Sequence, residues 1–304
     1  MSTIESWFIP FDILSLISTT LAALLALIYL LIIIFDKTCH TVSMMLVANT
    51  SCAIILFACS MFSETLFTLQ NDLQQVQTYD ISCFIRAPFA YSGCAILNFS
   101  FTSQAFYRYV LVVYPTHVFY RSYKFQLLLV IVIWIYGFLV PVEFVARGEV
   151  TYNPDNQICQ LPLGLSFSII YMASCVYVFP IFITMIIYYK LIRYVKQMNA
   201  RTTSVNTVLR ARHELKMVRR IVIIIVILLA LGFTYFIFIL MSFFTTPPKY
   251  HFRIALVLLC VSLTSITIVL FVFTDQLKRL VTKNRRIEPD INTVFVLQTA
   301  IHSR

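Results

Sequence analysis

Residues able to do covalent or metal chemistry are few and scattered in this chain. Eight cysteines stand singly, at 39, 52, 59, 83, 94, 159, 175 and 260. None has a neighbour at the spacing of a zinc or dithiol site, and most fall in apolar runs where a thiol is a small hydrophobe. The five histidines, His40, His117, His213, His251 and His302, lie outside the apolar runs or at their ends. A catalytic centre needs His, Asp or Glu brought together. A phosphate-binding loop needs glycines, and the chain has 5. What remains is a handful of isolated ionisable residues in apolar surroundings: Glu64, Arg86, Arg108 and Glu143. At membrane depth such groups pair with one another or face a bundle interior. Their chemistry is recognition and switching, with no cofactor or metal called for, and the chain reads as a non-enzyme.

The elements that position them are long and apolar. The 304 residues are 60% hydrophobic and 12% charged, about half the charge of a soluble domain. About 20 apolar residues cross the hydrocarbon as a helix. Seven segments qualify: 11–35, 41–67, 82–113, 125–145, 166–192, 218–244 and 252–274. Runs such as IVIIIVILLALGF are continuous rather than alternating, which favours helices over a barrel. The first run lacks a basic leader and is too long for a signal peptide, so it reads as an uncleaved span. The expected fold is an all-α membrane protein, a bundle of seven transmembrane helices. It divides into a short extracellular N-terminus (1–10), the bundle (11–274), and an amphipathic helix with a short cytoplasmic tail (275–304).

Orientation follows from Lys and Arg. With the N-terminus outside, 19 of them are cytoplasmic and 4 (Arg86, Arg147, Lys249, Arg253) are not. The +10 net charge thus faces anionic lipid and cytosolic partners rather than nucleic acid. Residues 196–216 read as the longest cytoplasmic loop. The glycosylation patterns at Asn49 and Asn98 fall inside spans and are fortuitous on this reading. No internal repeat of a transporter is evident.

The third span carries the most informative spacing. Cys83 opens it and Arg108 lies 25 residues later, roughly 37 Å of helix, enough to reach the far interface. Cys159, in the loop after the fourth span, is the other cysteine on the oxidising side. A disulfide between the two would pin that loop across the bundle mouth; two free thiols are the alternative.

Taken together these features resemble the rhodopsin-like G-protein-coupled receptors over nearly the whole chain. That family joins a cysteine opening helix 3 to one in the second outer loop, and places an arginine 25 residues after the first. Its acid-Arg-Tyr motif corresponds to Tyr107-Arg108-Tyr109. Pro115 follows the arginine by seven residues, Trp134 matches a helix 4 tryptophan and Asn49 the helix 2 residue that faces it. Pro180 and Tyr188 match the helix 5 pair. Glu214 stands at the base of helix 6, where many members hold an acid that pairs with the arginine. The resemblance implies a Cys83–Cys159 disulfide and a switch built on Arg108, Tyr107, Tyr109, Glu214, Tyr188 and Pro180.

Departures mark a divergent branch. Tyr107 replaces the usual acid, Ile54 the sodium-holding aspartate of helix 2, and Leu231-Gly232-Phe233-Thr234 the helix 6 motif. The helix 7 motif is absent near Ile266–Leu270. Ala90 stands where amine receptors carry an aspartate, and residues 252–274 have no lysine for a retinal Schiff base. Glu64, Arg86, Tyr91, Tyr235 and Phe236 form the expected ligand pocket, with Glu64 and Arg86 drawn together at its rim; a purely structural salt bridge with ordinary aromatic packing is the alternative. The implied function is a plasma-membrane receptor that passes a signal from an extracellular small molecule or peptide to a heterotrimeric G protein, in contact with membrane lipid. Competing readings are a transporter or a seven-helix protein that binds ligand without coupling.

Overall fold

A computed structural model describes residues 8–36, 39–74, 82–164, 166–200, 223, 226, 236–242, 244–245 and 248–273. Helix α1 (Ile9–Phe35) begins with Pro10, whose missing N–H costs nothing in a first turn. It buries Asp12, Ser15, Ser18, Thr19, Ala22, Ala26, Tyr29 and Ile33, one stripe at helical spacing. Ile13, Ile17, Leu24, Leu31 and Ile34 stay exposed on the other side, as a lipid-facing surface requires. The small side chains along this stripe let α1 sit closely against its neighbours, which is how helices associate where lipid removes the hydrophobic drive.

Helix α2 (Val42–Gln74) runs beyond the expected end at 67. The extension is polar and carries no hydropathy signal, yet Thr68, Asn71 and Asp72 are buried in it. Helix α3 (Ser82–Val113) is the central strut and buries residues on all sides. Five described helical stretches are long and apolar enough to cross a membrane, and α3 is not one of them. Helix α3 is long enough, at 32 residues, but less apolar than the five. Its polar residues face other helices rather than lipid: Asn98, Ser100, Thr102, Ser103 and Gln104 are all buried. Gln104 donates to Thr50 Oγ1 at 2.6 Å, and Ser100 accepts from Asn49 at 2.8 Å. The expected sixth span, 218–244, lies largely outside the described residues.

Gly93 marks a close approach of α2 and α3. A Cβ there would meet the Phe57 backbone Cα at 2.9 Å. Backbone cannot swing aside as a side-chain tip can, so Gly93→Ala is expected to destabilise the fold by about 1–3 kcal/mol. A thermal melt of the purified variant checks this, and a melting point equal to wild type would show that the helices separate freely.

A short turn of helix, α4 (Val118–Arg121), leads to α5 (Tyr123–Leu139), capped by Ser122 accepting from the Phe125 N–H at 3.3 Å. Helix α6 (Val142–Ala146) continues it past Pro141. A two-stranded antiparallel hairpin follows, β1 (Thr151–Asn153) and β2 (Ile158–Gln160), with Tyr152 opposite Cys159. The fifth long element is α7 (Phe167–Ala173), a wider π turn over Ser174–Val178, and α8 (Phe179–Ala200). It stays helical through the start of the segment expected as a loop. Residues 236–242 belong to a further helix, α9, and α10 (His251–Phe273) packs back on α1.

Candidate functional site

One end of the bundle is roofed by the hairpin. Cys83, at the start of α3, is disulfide-bonded to Cys159 in β2, with an S–S length of 2.02 Å and Cα atoms 5.5 Å apart. A side-chain hydrogen bond beside that bridge adds to the attachment. Tyr91, two turns down α3, donates its hydroxyl to Gln160 Oε1 at 2.5 Å and packs edge-on against Phe144. Beneath Ile158 and Gln160 lies a void of about 50 Å³. Phe57 and Met61 of α2, Tyr91 and Cys94 of α3, Met172 and Tyr177 of the fifth element, and Phe252 and Leu256 of α10 line it. None of the residues lining it is charged, so it suits an apolar body with few polar contacts.

A second tie holds the roof from the other side. Arg253, at the start of α10, is 4% exposed and grips Asp72 of α2 with both guanidinium ends, at 2.5 and 3.0 Å. Asp12 of α1 lies 3.9 Å away. Arg253 Nε donates to the Asn156 carbonyl at 3.3 Å, and its backbone N–H to the Asn156 side chain. Phe8 lies across the guanidinium face, 4.8 Å from ring centre to Cζ. Gln157 holds a left-handed backbone, φ 56°, which costs a non-glycine residue energy. Its side chain offsets that by donating to Asp72 at 2.9 Å. One buried cluster therefore joins α1, α2, α10 and the hairpin tip. Burial also pushes the Tyr152 hydroxyl above its ordinary range, as expected for a hairpin folded onto the helices.

The expected pocket residues divide. Tyr91 lines the void. Phe236 is 48% exposed and does not line it; Tyr235 lies outside the described residues. Glu64 and Arg86 do not line it either. Arg86 donates to Ser82 at 2.6 Å and covers the Phe67 ring at 4.7 Å. It attracts Glu64 electrostatically without hydrogen-bonding it. Glu143 is taken by Arg147 at 2.6 Å and by Ser168.

At the far end of α3, Arg108 donates to Ser43 of α2 at 2.6 Å, and its guanidinium lies 6.0 Å from the Tyr107 ring centre. Tyr109 packs edge-on against Tyr114. Glu214 lies outside the described residues. Tyr188 is half-buried on α8. Pro180 has no N–H to give the Val176 carbonyl one turn back. Asn98 of α3 fills that vacancy at 2.9 Å, and Thr102 donates to the Pro180 carbonyl at 3.2 Å. The carbonyl left free by the proline thus accepts a bond between helices, and the Thr102 bond adds a second.

A family model for the rhodopsin-family seven-transmembrane receptors matches residues 26–270. The chain belongs to this family. Among solved structures the receptor is similar to the crystal structure of squid rhodopsin, with a TM-score of 0.76 and 12% identity over 93% of this chain and 87% of that one. At that identity the likeness shows the fold alone. No curated protein matches the receptor's sequence. Family and fold are those of receptors, which are not enzymes.

Several family positions read from the receptor's sequence meet in space. Trp134 donates to Asn49 Oδ1 at 2.7 Å, and Asn49 donates on to Ser100. Sequence reasoning missed the Asp12–Asp72–Arg253 cluster. Arg253 entered only as one outer charge, and Asp72 fell beyond the expected end of its span. The available signal was an arginine at the mouth of the last span, which at that depth calls for a partner.

Proposed function

We propose that the receptor takes an extracellular ligand into the void beneath the hairpin and responds by promoting nucleotide exchange on a heterotrimeric G protein. The observation that carries this is the reach of α3. A single rigid helix bears the disulfide and void at one end and Arg108 at the other. A ligand that shifts α3 against α2 would disturb the Arg108–Ser43 contact. The hairpin end then faces outside and the Arg108 end the cytosol, as the 19-to-4 distribution of Lys and Arg supports. On this reading 11–274 is the receptor domain, flanked by 1–10 and 275–304, and the protein resides in the plasma membrane. Nucleotide exchange on a panel of purified G proteins, with and without ligand pools, tests it; no exchange on any member would reject coupling.

Arg108→Ala is expected to weaken ligand-driven exchange at least several-fold while ligand binding persists. Glu214, the sole acid between residues 200 and 220, is assigned as the second partner of Arg108 in the resting state. A half-exposed pair is worth about 1 kcal/mol, and about 1.4 kcal/mol is a tenfold population shift. Glu214→Ala should therefore raise ligand-free exchange several-fold. Unchanged basal exchange at equal surface expression would place the resting lock elsewhere. Tyr107, standing where the family's acid would be, favours a second reading in which ligand binds without coupling. Ligand binding with silence across the whole panel would decide for it.

A further inference from the structure

A groove of about 440 Å³ runs between α3 and the α5–α6 arm. Phe84, Pro88 and Ser92 recur at i, i+4 and i+8 and form one wall, while Pro141, Val142 and Val145 belong to the other. Tyr91 and Cys94, which line the void under the hairpin, stand on another face of α3. Ile85, Phe89, Val142 and Val145 are between 44% and 58% exposed, so the groove opens sideways, onto lipid. The Phe89 and Phe138 rings meet edge-on across it, 6.2 Å between centres. One turn past Ser92, a Cβ on Gly137 would overlap the Ile96 side chain, so the two helices close together there. The wall from Phe84 to Ser92 covers about 12 Å of helix, and the volume falls within the range of about 300–1,000 Å³ usual for small-molecule sites. Ser92 is the one polar side chain in the lining. It is 1% exposed and makes no hydrogen bond among the described residues. A hydroxyl held out of water costs energy until a partner reaches it.

We propose that this groove binds a steroid carrying an oxygen at its deep end, with that oxygen hydrogen-bonded to Ser92. The route in is through the bilayer, so the occupant is lipid-soluble. No charged residue lines the groove, and a charge at that depth is expensive, so the occupant is neutral. Walls made of phenylalanine and proline rings are flat and stiff. They suit fused rings, which lose little freedom on binding, better than an acyl chain, which must first be ordered. Ser92 lies nine residues past Cys83, about 14 Å along the helix, and on the orientation proposed above that is within the outer hydrocarbon. An acyl chain brings no polar atom to this depth. A plain membrane sterol keeps its hydroxyl among the headgroups and would set its alkyl tail against Ser92. An oxygen at the far end of the ring system is what Ser92 selects.

The test uses full-length receptor in phosphatidylcholine nanodiscs, with thermal unfolding as the readout. The probes are testosterone and androst-4-en-3-one, which differ only in the hydroxyl on the last ring, compared at equal mole fraction in the lipid. Both should raise the melting temperature, testosterone with an apparent affinity about fivefold higher, the usual worth of one hydrogen bond. Ser92→Ala should erase that difference and leave both steroids at the level of the deoxy compound. Val145→Trp, at a half-exposed position, should fill the groove and abolish both effects; Val142→Trp, on the same wall, is the second blocking variant should the first fold poorly. Cholesterol should shift wild type and the blocked variant alike. No effect of either probe, equal affinity for the two in wild type, a preference that survives Ser92→Ala, or effects that survive both blocking variants would each overturn the proposal. A cholesterol shift confined to wild type would also overturn it, giving the groove to plain membrane sterol. Nucleotide exchange plays no part in these readouts, so a failure of coupling leaves them unmoved.

Discussion

Arg253→Met should cost the folded receptor about 3–5 kcal/mol, the usual scale for leaving one member of a buried ion pair alone. Asp72, fully buried, would lose both of its guanidinium bonds, and Asp12 its nearby positive charge. The hairpin would lose two further ties, since Arg253 holds the Asn156 carbonyl and Asp72 holds Gln157. A melt of the purified variant, or its share of surface expression, measures the loss. Removing both charges is a different matter, because a buried pair often contributes little over a neutral replacement. Arg253→Met with Asp72→Asn should therefore recover a good part of the stability. A single variant as stable as wild type would mean that the cluster fastens nothing.

Breaking the disulfide should be comparably severe. Cys83 and Cys159 are 76 residues apart, and closing a loop of that size is worth between about 3 and 5 kcal/mol on the chain-entropy estimate. Cys83→Ser is expected to melt lower by a corresponding amount and to hold its ligand less well, because Ile158 and Gln160 form the ceiling of the void. Reductant should lower the wild-type melt to that of the variant and leave the variant unmoved. If both cysteines of unreduced, denatured wild type react fully with a thiol label, the bridge is absent.

Where the chain announced its structure, it did so through strong local signals. The five apolar spans, apart from the far end of α2, and the start of α3 fall within a few residues of where hydropathy puts them. The Cys83–Cys159 bridge was legible because only two cysteines lie on one side of the spans. What escaped notice was polar. Thr68, Asn71 and Asp72 extend α2 by burial against the hairpin and α10, and hydropathy cannot see a polar residue that is buried because it has a partner. The hairpin was missed because two three-residue strands are too short to show alternation. Glu64 and Arg86 were rightly singled out as ionisable groups at depth. Their spacing could not reveal that Arg86 also hydrogen-bonds Ser82 and lies over Phe67. Phe236, expected to face the same cavity as Tyr91, is 48% exposed.

The three-way meeting of Asp12, Asp72 and Arg253 imposes an order on biosynthesis. The two acids leave the ribosome first, and the guanidinium that satisfies Asp72 lies 181 residues further on. At about 5–20 residues per second, roughly 10–40 s pass before it is made. During that interval the first two helices carry carboxyls near their outer ends without the positive charge that later buries them. Nascent chains cut short before residue 253 should remain loosely inserted and be cleared by quality control, whereas completion of the last helix draws the first two into place. A helix made late thus certifies the earliest ones.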